Sequence, residues 1–359
     1  MAFMEINTCP ACKVPEYITI EHVWINSGLI AQKRDRRHVV AFIESDNLDS
    51  LFRGIEQIIG ISIDKIVMTA RRRASRAYMD RIIPKEVKEL LRKGELDLGF
   101  VINSIVIIGQ VLGYGHFELV DYRYEQDEDD YAVIRVEKPY SVVFGLCDPI
   151  AALEAVTGYE VSFDFEEISK DTYEISAFRS SHPTAFKDRL IMKSYRYREG
   201  DIVLDACATC GAPSLLSSYE WDLDKGIILS ADKRRRMAFF APNVLDVVLD
   251  ELEKELGEII PNAVIEAQRR FTKTGIYNVD DVRDADSLRT QLALRGLGNL
   301  RQFDMDEKGA SLRLDNAAIH LIMVGLIQGI YEMVFGVESR VEWELTGEGN
   351  LEISVIPGS

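Results

Sequence analysis

Apolar residues recur at spacings of three and four through Leu48, Leu51, Phe52, Ile55, Ile58 and Ile59. That period predicts one face of a helix starting near Ser45 or Asp46, either of which can accept a bond from a free first-turn N–H, and ending at Gly60. The pattern returns at Val244, Leu245, Val248, Leu249, Leu252 and Leu256, closed by Gly257. Ahead of each helix, β-branched and aromatic runs predict strands over 17–24, 28–30 and 37–43, with 236–240 as the counterpart of the last. Further helices are predicted over 63–79, 84–92 and 96–112, with Pro84 in the first turn of the second. Beyond Gly113-Tyr114-Gly115 come a β-pair over 117–124 and 131–136, a helix over 145–156 and strands over 160–165 and 172–178. The second half repeats the series over 261–273, 287–294, 300–305, 310–314, 323–334, 340–345 and 350–355.

The repetition holds at the level of single residues. At an offset of 197, Leu48 matches Leu245, Asp49 Asp246, Gly60 Gly257 and Arg72 Arg269; at 178, Glu154 matches Glu332 and Gly158 Gly336. The chain therefore reads as a tandem duplication of one α/β (α+β) unit, each a largely antiparallel sheet packed with helices, the two related by a pseudo-twofold axis. The expected divisions are residues 1–182 and 206–359, joined by a connector over 183–205 that includes a strand at 192–197. A length of 359 residues suits two such cores.

Charge narrows the partners. With 42 Lys and Arg against 59 Asp and Glu, the net charge of −17 repels nucleic acid and anionic lipid. The two basic runs, Arg71-Arg72-Arg73 with Arg76 and Lys233 to Arg236, read as a solvated helix face and a charged hairpin edge. The apolar stretches 96–112 and 319–335 carry polar breaks and fall short of a bilayer span. Residues 1–8 lack the pattern of a secretory signal, so the expected location is the cytoplasm.

Chemistry concentrates in the cysteines. Cys9-Pro10-Ala11-Cys12 and Cys207-Ala208-Thr209-Cys210 are both Cys-x-x-Cys turns, followed by Pro15 and Pro213. Two such turns supply four soft ligands to one tetrahedral ion, so Cys9, Cys12, Cys207 and Cys210 are the candidate ligands of a structural Zn2+ that fastens the halves together. Iron has the same four-thiolate pattern and is the alternative metal. The strand-like residues after each proline argue against a redox pair, which needs a following helix. Cys147, in Gly145-Leu146-Cys147-Asp148-Pro149, is expected at a helix start, where the dipole can activate a thiol; a small packed residue is the competing reading, since Gly325 occupies the aligned position. His22, His38, His116, His182 and His320 show no metal-binding spacing, and no nucleotide or flavin motif is present.

Several stretches together resemble the 4-vinyl reductase (hydrocarbon-binding) domain: Arg235 to Phe240 running into Pro242 to Gly257, Gly113 to Val120, Tyr131 to Val136, and Gly145 to Gly158. The resemblance spans about 24–178 and 221–356. It implies a fold that pairs into dimers around a pocket for a small apolar ligand, here mimicked within one chain. The late cysteines that bind zinc in related regulators are missing from 166–173 and 344–351, which leaves only Cys147 of that set. The expected function is binding of a small hydrophobic, aromatic or tetrapyrrole-like molecule as a sensor or accessory protein, acting through a separate signalling or enzyme protein. Phe100, Ser104, Ile107, Phe144 and Cys147 are the candidate pocket residues. Two other classes stand beside it: a reductase of a vinyl or aromatic substrate, and a scaffold with no ligand. Further homo-oligomerisation is compatible with each.

Overall fold

The computed structural model describes residues 6–180, 196–232, 234–275, 284–347 and 349–358. The connector strand expected at 192–197 lies mostly outside them. Helix α1 (Glu16–Glu21) leads into strands β1 (His22–Trp24), β2 (Ile30–Gln32) and β3 (Val39–Glu44). There follow helices α2 (Asp46–Ile59), α3 (Asp64–Ile82), α4 (Lys85–Arg92) and α5 (Leu98–Val111). The half closes with β4 (His116–Arg123), β5 (Tyr131–Glu137), α6 (Val142–Thr157), β6 (Glu160–Ser169) and β7 (Thr172–Ser180). In the second half a 3-10 turn at Ser214–Ser218 replaces α1 before β8 (Glu220–Asp222), β9 (Ile227–Leu229) and β10 (Arg236–Phe240). Then come α7 (Pro242–Leu256), α8 (Ile259–Thr272), α9 (Ala285–Leu294), β11 (Asn299–Asp306), β12 (Gly309–Asp315), α10 (His320–Phe335), β13 (Ser339–Leu345) and β14 (Leu351–Pro357). The protein is thus a mixed α+β fold of antiparallel sheets packed with helices.

Each half closes a four-stranded antiparallel sheet of its own, β4-β5-β7-β6 and β11-β12-β14-β13. A third sheet is shared, in the order β1-β2-β3-β10-β9-β8, with β3 of one half paired to β10 of the other. In that pair Phe42 lies opposite Phe239, and 239 − 42 = 197, the offset of the repeat. The two rings stack at 4.5 Å, so the pseudo-twofold axis runs between residues at equivalent places in the two halves.

The halves are intertwined. Helix α2 packs on α8 of the second half, and α7 packs on α3 of the first. Backbone bonds repeat the exchange: the Phe42 N–H donates to the Arg295 carbonyl at 2.8 Å, as the Phe239 N–H does to Leu112 at 2.9 Å. The Gly115 N–H likewise donates to Gly226 (2.9 Å) and the Gly298 N–H to Gly28 (3.1 Å). Only glycine fits there. At Gly226, with φ +60°, an added Cβ would stand 2.1 Å from the Gly115 carbonyl oxygen. Gly226→Ala is therefore expected to destabilise the chain by about 2–4 kcal/mol, read by urea unfolding, since backbone must move to admit the methyl group.

Four expectations need correction. Residues 17–21 form a helix, not the start of a strand: β-branched preference yields to the burial of Ile18 with Cys9, Cys12 and Val14 as the chain leaves the cysteine turn. Ser45 and Asp46 do not cap α2; the Ser45 hydroxyl donates to the Arg236 carbonyl, and the Asp46 carboxylate accepts from the Arg236 N–H, so both tie α2 to the other half. Pro84 stands just before α4 rather than within its first turn. The arginines on α3 are not a solvated face. Arg71, Arg72 and Arg73 are buried, paired with Asp148, Glu154 and Glu160 from α6 and β6, and the second half repeats the arrangement as Arg269 with Glu332 and Glu338.

Candidate functional site

The four cysteines of the two turns meet on the pseudo-twofold axis. Each turn is closed by the same bonds: Cys9 N–H to Val14 and Lys13 N–H to Cys9, repeated as Cys207 N–H to Ala212 and Gly211 N–H to Cys207. Lys13 and Gly211 both take positive φ, at 62° and 77°, as the tight reversal requires. Short bridges Thr8–Pro15 and Ala206–Pro213 complete the matching knuckles.

Cys9 Sγ lies 4.0 Å from Cys207 Sγ, and Cys12 Sγ lies 3.4 Å from Cys210 Sγ. All four sulfurs fall within 4.8 Å of one another. A tetrahedral zinc with bonds of about 2.3 Å separates its sulfurs by roughly 3.8 Å, so the cluster has the dimensions of a single four-thiolate ion. Among the described residues no other group of three or more potential ligands converges.

Backbone amides prepare the sulfurs for negative charge. The Cys12 and Ala11 amides hold the Cys9 thiol below its ordinary range, and those of Cys210 and Thr209 bring Cys207 down to about 6. Burial pushes Cys12 up to about 12 and raises Cys210, against amides of Val14 and Ala212 that favour the thiolate. Four thiolates without a counter-charge are unstable this close together, whereas a divalent cation at their centre deprotonates all four. The helix and 3-10 turn after Pro15 and Pro213 remove one sequence argument against redox chemistry; what speaks for metal instead is the meeting of all four sulfurs.

The five residues expected to form a pocket do not share one. Phe100, Ser104 and Ile107 form a stripe on α5 opposite the buried stripe of Leu98, Val101 and Ile102; Phe100 is 51% exposed, and the Ser104 hydroxyl turns back to the Phe100 carbonyl. Phe144 is buried against Phe52 and Phe240. Cys147 lies inside α6 rather than at its start, its thiol donating to the Met68 carbonyl. Burial, with Asp148 beside it, pushes the thiol far up, so the helix dipole does not activate it. At the matching place Gly325 meets the Ile265 carbonyl, which explains why only a small residue suits either site.

Beside Phe144, sequence reasoning missed a closed polar cluster. Arg71 donates from Nε to Asp148 Oδ1 and from Nη2 to Oδ2, both at 2.9 Å, and from Nη2 to the Tyr140 hydroxyl at 2.7 Å. Its guanidinium lies 4.5 Å from the Phe144 ring centre and 5.0 Å from that of Phe240. Burial opposes the charge, but Asp148 outweighs it and keeps Arg71 protonated. The small space under α6, near Leu153 and Val161, is about 20 Å³, room for about one water.

A larger cleft, about 250 Å³, opens next to the cysteine cluster. Cys210 to Pro213 form one wall, Trp24 and Ile25 another, and Ile202 and Leu204 of the connector a third. Asp201 fixes the connector there. Its carboxylate pairs with Arg289 at 2.7 Å and Arg301 at 2.6 Å and accepts from the Asn299 amide at 2.9 Å, partners that hold its pKa down at about 2. Asp201→Asn is expected to speed proteolytic cutting between 196 and 206 several-fold, with the rest of the chain protected.

No family model and no curated protein matches the chain. Among solved structures it is similar to a Cs H-NOX mutant carrying 4-cyano-L-phenylalanine (TM-score 0.26). It is also similar to an H-NOX protein studied for heme distortion and to a mutant of T. Tengcongensis H-NOX, both with TM-score 0.25. Each is 14% identical over 33% of this chain, covering 75%, 72% and 75% of those chains. Scores at this level do not establish a common fold. Among the described residues no helix is long and apolar enough to cross a membrane.

Proposed function

We propose that the chain is a zinc-clamped intrachain pseudo-dimer of the 4-vinyl reductase (hydrocarbon-binding) type that works by binding a small, largely apolar molecule. The observation that carries this reading is that Cys9 and Cys12 each face their own duplicate across the axis, with all four sulfurs spaced for one ion. A closed four-thiolate shell leaves the metal no open position for a substrate, so the ion fastens rather than reacts. Amide donors to the sulfurs serve as the supporting shell that such sites use. The ligand class rests on the resemblance of Gly113 to Val120 and Gly145 to Gly158, and room for a ligand lies in the cleft beside the clamp.

A second reading, a scaffold without ligand, is favoured by the filled core around Arg71, Phe144 and Phe240. Native mass spectrometry with elemental analysis separates the readings. One zinc per chain, absent from the Cys207→Ser/Cys210→Ser variant, together with a co-purified apolar molecule supports the binding protein. One zinc and no ligand from any source favours the scaffold, and chains free of metal after anaerobic purification overturn the clamp.

A further inference from the structure

The cleft beside the clamp has a composition of its own. His22 lines it and is only 4% exposed. Its Nδ1 faces the Ile18 carbonyl at 3.2 Å, so that nitrogen must carry the proton and Nε2 is left as an acceptor. No hydrogen bond from a described residue reaches Nε2. Burial depresses the ring's pKa to about 4, which keeps it neutral at physiological pH.

Lys33 also lines the cleft and is exposed. One ammonium proton goes to the Thr19 carbonyl at 2.5 Å. Asp35, the nearest acid in sequence, is taken by Arg37 at 2.6 Å and Glu21 by Arg34 at 2.7 Å, and among the described residues no carboxylate pairs with Lys33. An ammonium with no carboxylate partner among the described residues, at a cleft mouth, favours an anion, against the negative charge of the whole chain.

Trp24, Val23, Ile25, Ile202, Leu204 and Ala212 give the remaining walls apolar side-chain surface, interrupted by Thr19 and by the cysteine turn at Cys210 and Gly211. The Trp24 N–H is already satisfied by the Leu294 carbonyl at 2.7 Å, so the indole offers a ligand its apolar surface. An apolar cavity of about 150 Å³ holds benzene, so 250 Å³ accommodates one substituted ring.

We propose that this cleft binds a small aromatic hydroxy acid, its carboxylate held by the Lys33 ammonium, its hydroxyl donating to His22 Nε2 and its ring lying among Trp24, Ile202 and Leu204. This deepens the binding reading and rests on it, since it gives that ligand a place and a chemical class. The site belongs to the first half alone, because the connector supplies one wall and the second half has Tyr219 and Glu220 where the first has His22 and Val23. With Cys210 in the opposite wall, the clamp holds that wall in place.

Isothermal titration of the zinc-loaded full chain tests it, using 4-hydroxybenzoate, its neutral analogue 4-hydroxybenzyl alcohol and its charge-reversed analogue 4-hydroxybenzylamine. The acid is expected to bind at least about tenfold more tightly than either analogue. Lys33→Met should remove that preference, and Ile202→Trp should fill the cleft and abolish binding while zinc content stays at one per chain. Equal binding of acid and amine, no binding of the acid up to about 10 mM, or undiminished binding by Ile202→Trp overturns the proposal. Zinc is measured in the same samples, so loss of the clamp and failure of the cleft are read separately.

Discussion

Replacing Cys207 and Cys210 together by serine is expected to lower the melting temperature by roughly 5 °C, with secondary structure retained below the transition. The argument starts from linkage: an ion that binds only the folded chain at about a thousandfold excess over its dissociation constant contributes about 4 kcal/mol. The cysteine turns lie far apart in sequence, so the unfolded chain offers no preformed four-sulfur site. The loss stays partial because the intertwined cores carry most of the stability: α2 on α8, α7 on α3 and the β3–β10 pair do not depend on metal. A chelator should shift the native chain by the same amount and leave the variant where it is. Cys147→Ser serves as the control, since that thiol lies inside α6 and should leave zinc binding intact. A melting temperature identical with and without chelator would refute a structural ion.

Much of this architecture is legible in the sequence, and the limits are physical. The helix under Leu48 to Ile59 shows because one face is buried and the period of burial is written in residue type. The four-cysteine cluster shows because Cys-x-x-Cys occurs twice in a chain with no further cysteine pairs. The arginines of α3 mislead because a charged triplet normally faces water, while the carboxylates that neutralise it lie 77 to 87 residues downstream. Likewise, the repeat offset identifies equivalent residues but carries no record of which copy each face packs against. That α2 rests on α8 becomes visible only where Gly54 meets Ala267. Phe100, Ser104 and Ile107 share one stripe of α5, but on so apolar a helix residue type does not distinguish the stripe that faces inward. The connector was the least informative stretch, since Ile202 and Leu204 gain meaning only beside Trp24.

The two similar halves supply their own comparison for the buried ion pair. Arg71 and Asp148 correspond, at the offsets of 197 and 178, to Gln268 and Leu326, and Tyr140 corresponds to Ala318. One copy therefore packs a charged pair where the other packs a neutral amide against an aliphatic side chain, with Gln268 bonded to Asn47 at 2.6 Å and to Thr272 at 3.2 Å. Asp148→Leu alone leaves the Arg71 charge buried with only the Tyr140 hydroxyl and two ring faces, and is expected to cost about 3–5 kcal/mol. Arg71→Gln alone should cost less, because Tyr140 and Ser75 still donate to the carboxylate at 2.8 and 3.0 Å. Making both changes copies the second half and removes the stranded charge, so the double variant should be about 2–3 kcal/mol more stable than the sum of the single losses predicts. Urea unfolding of the four proteins measures that coupling. Losses that simply add would mean that Arg71 and Asp148 act independently, and that the bidentate pair is not what holds α3 to α6 in the first half.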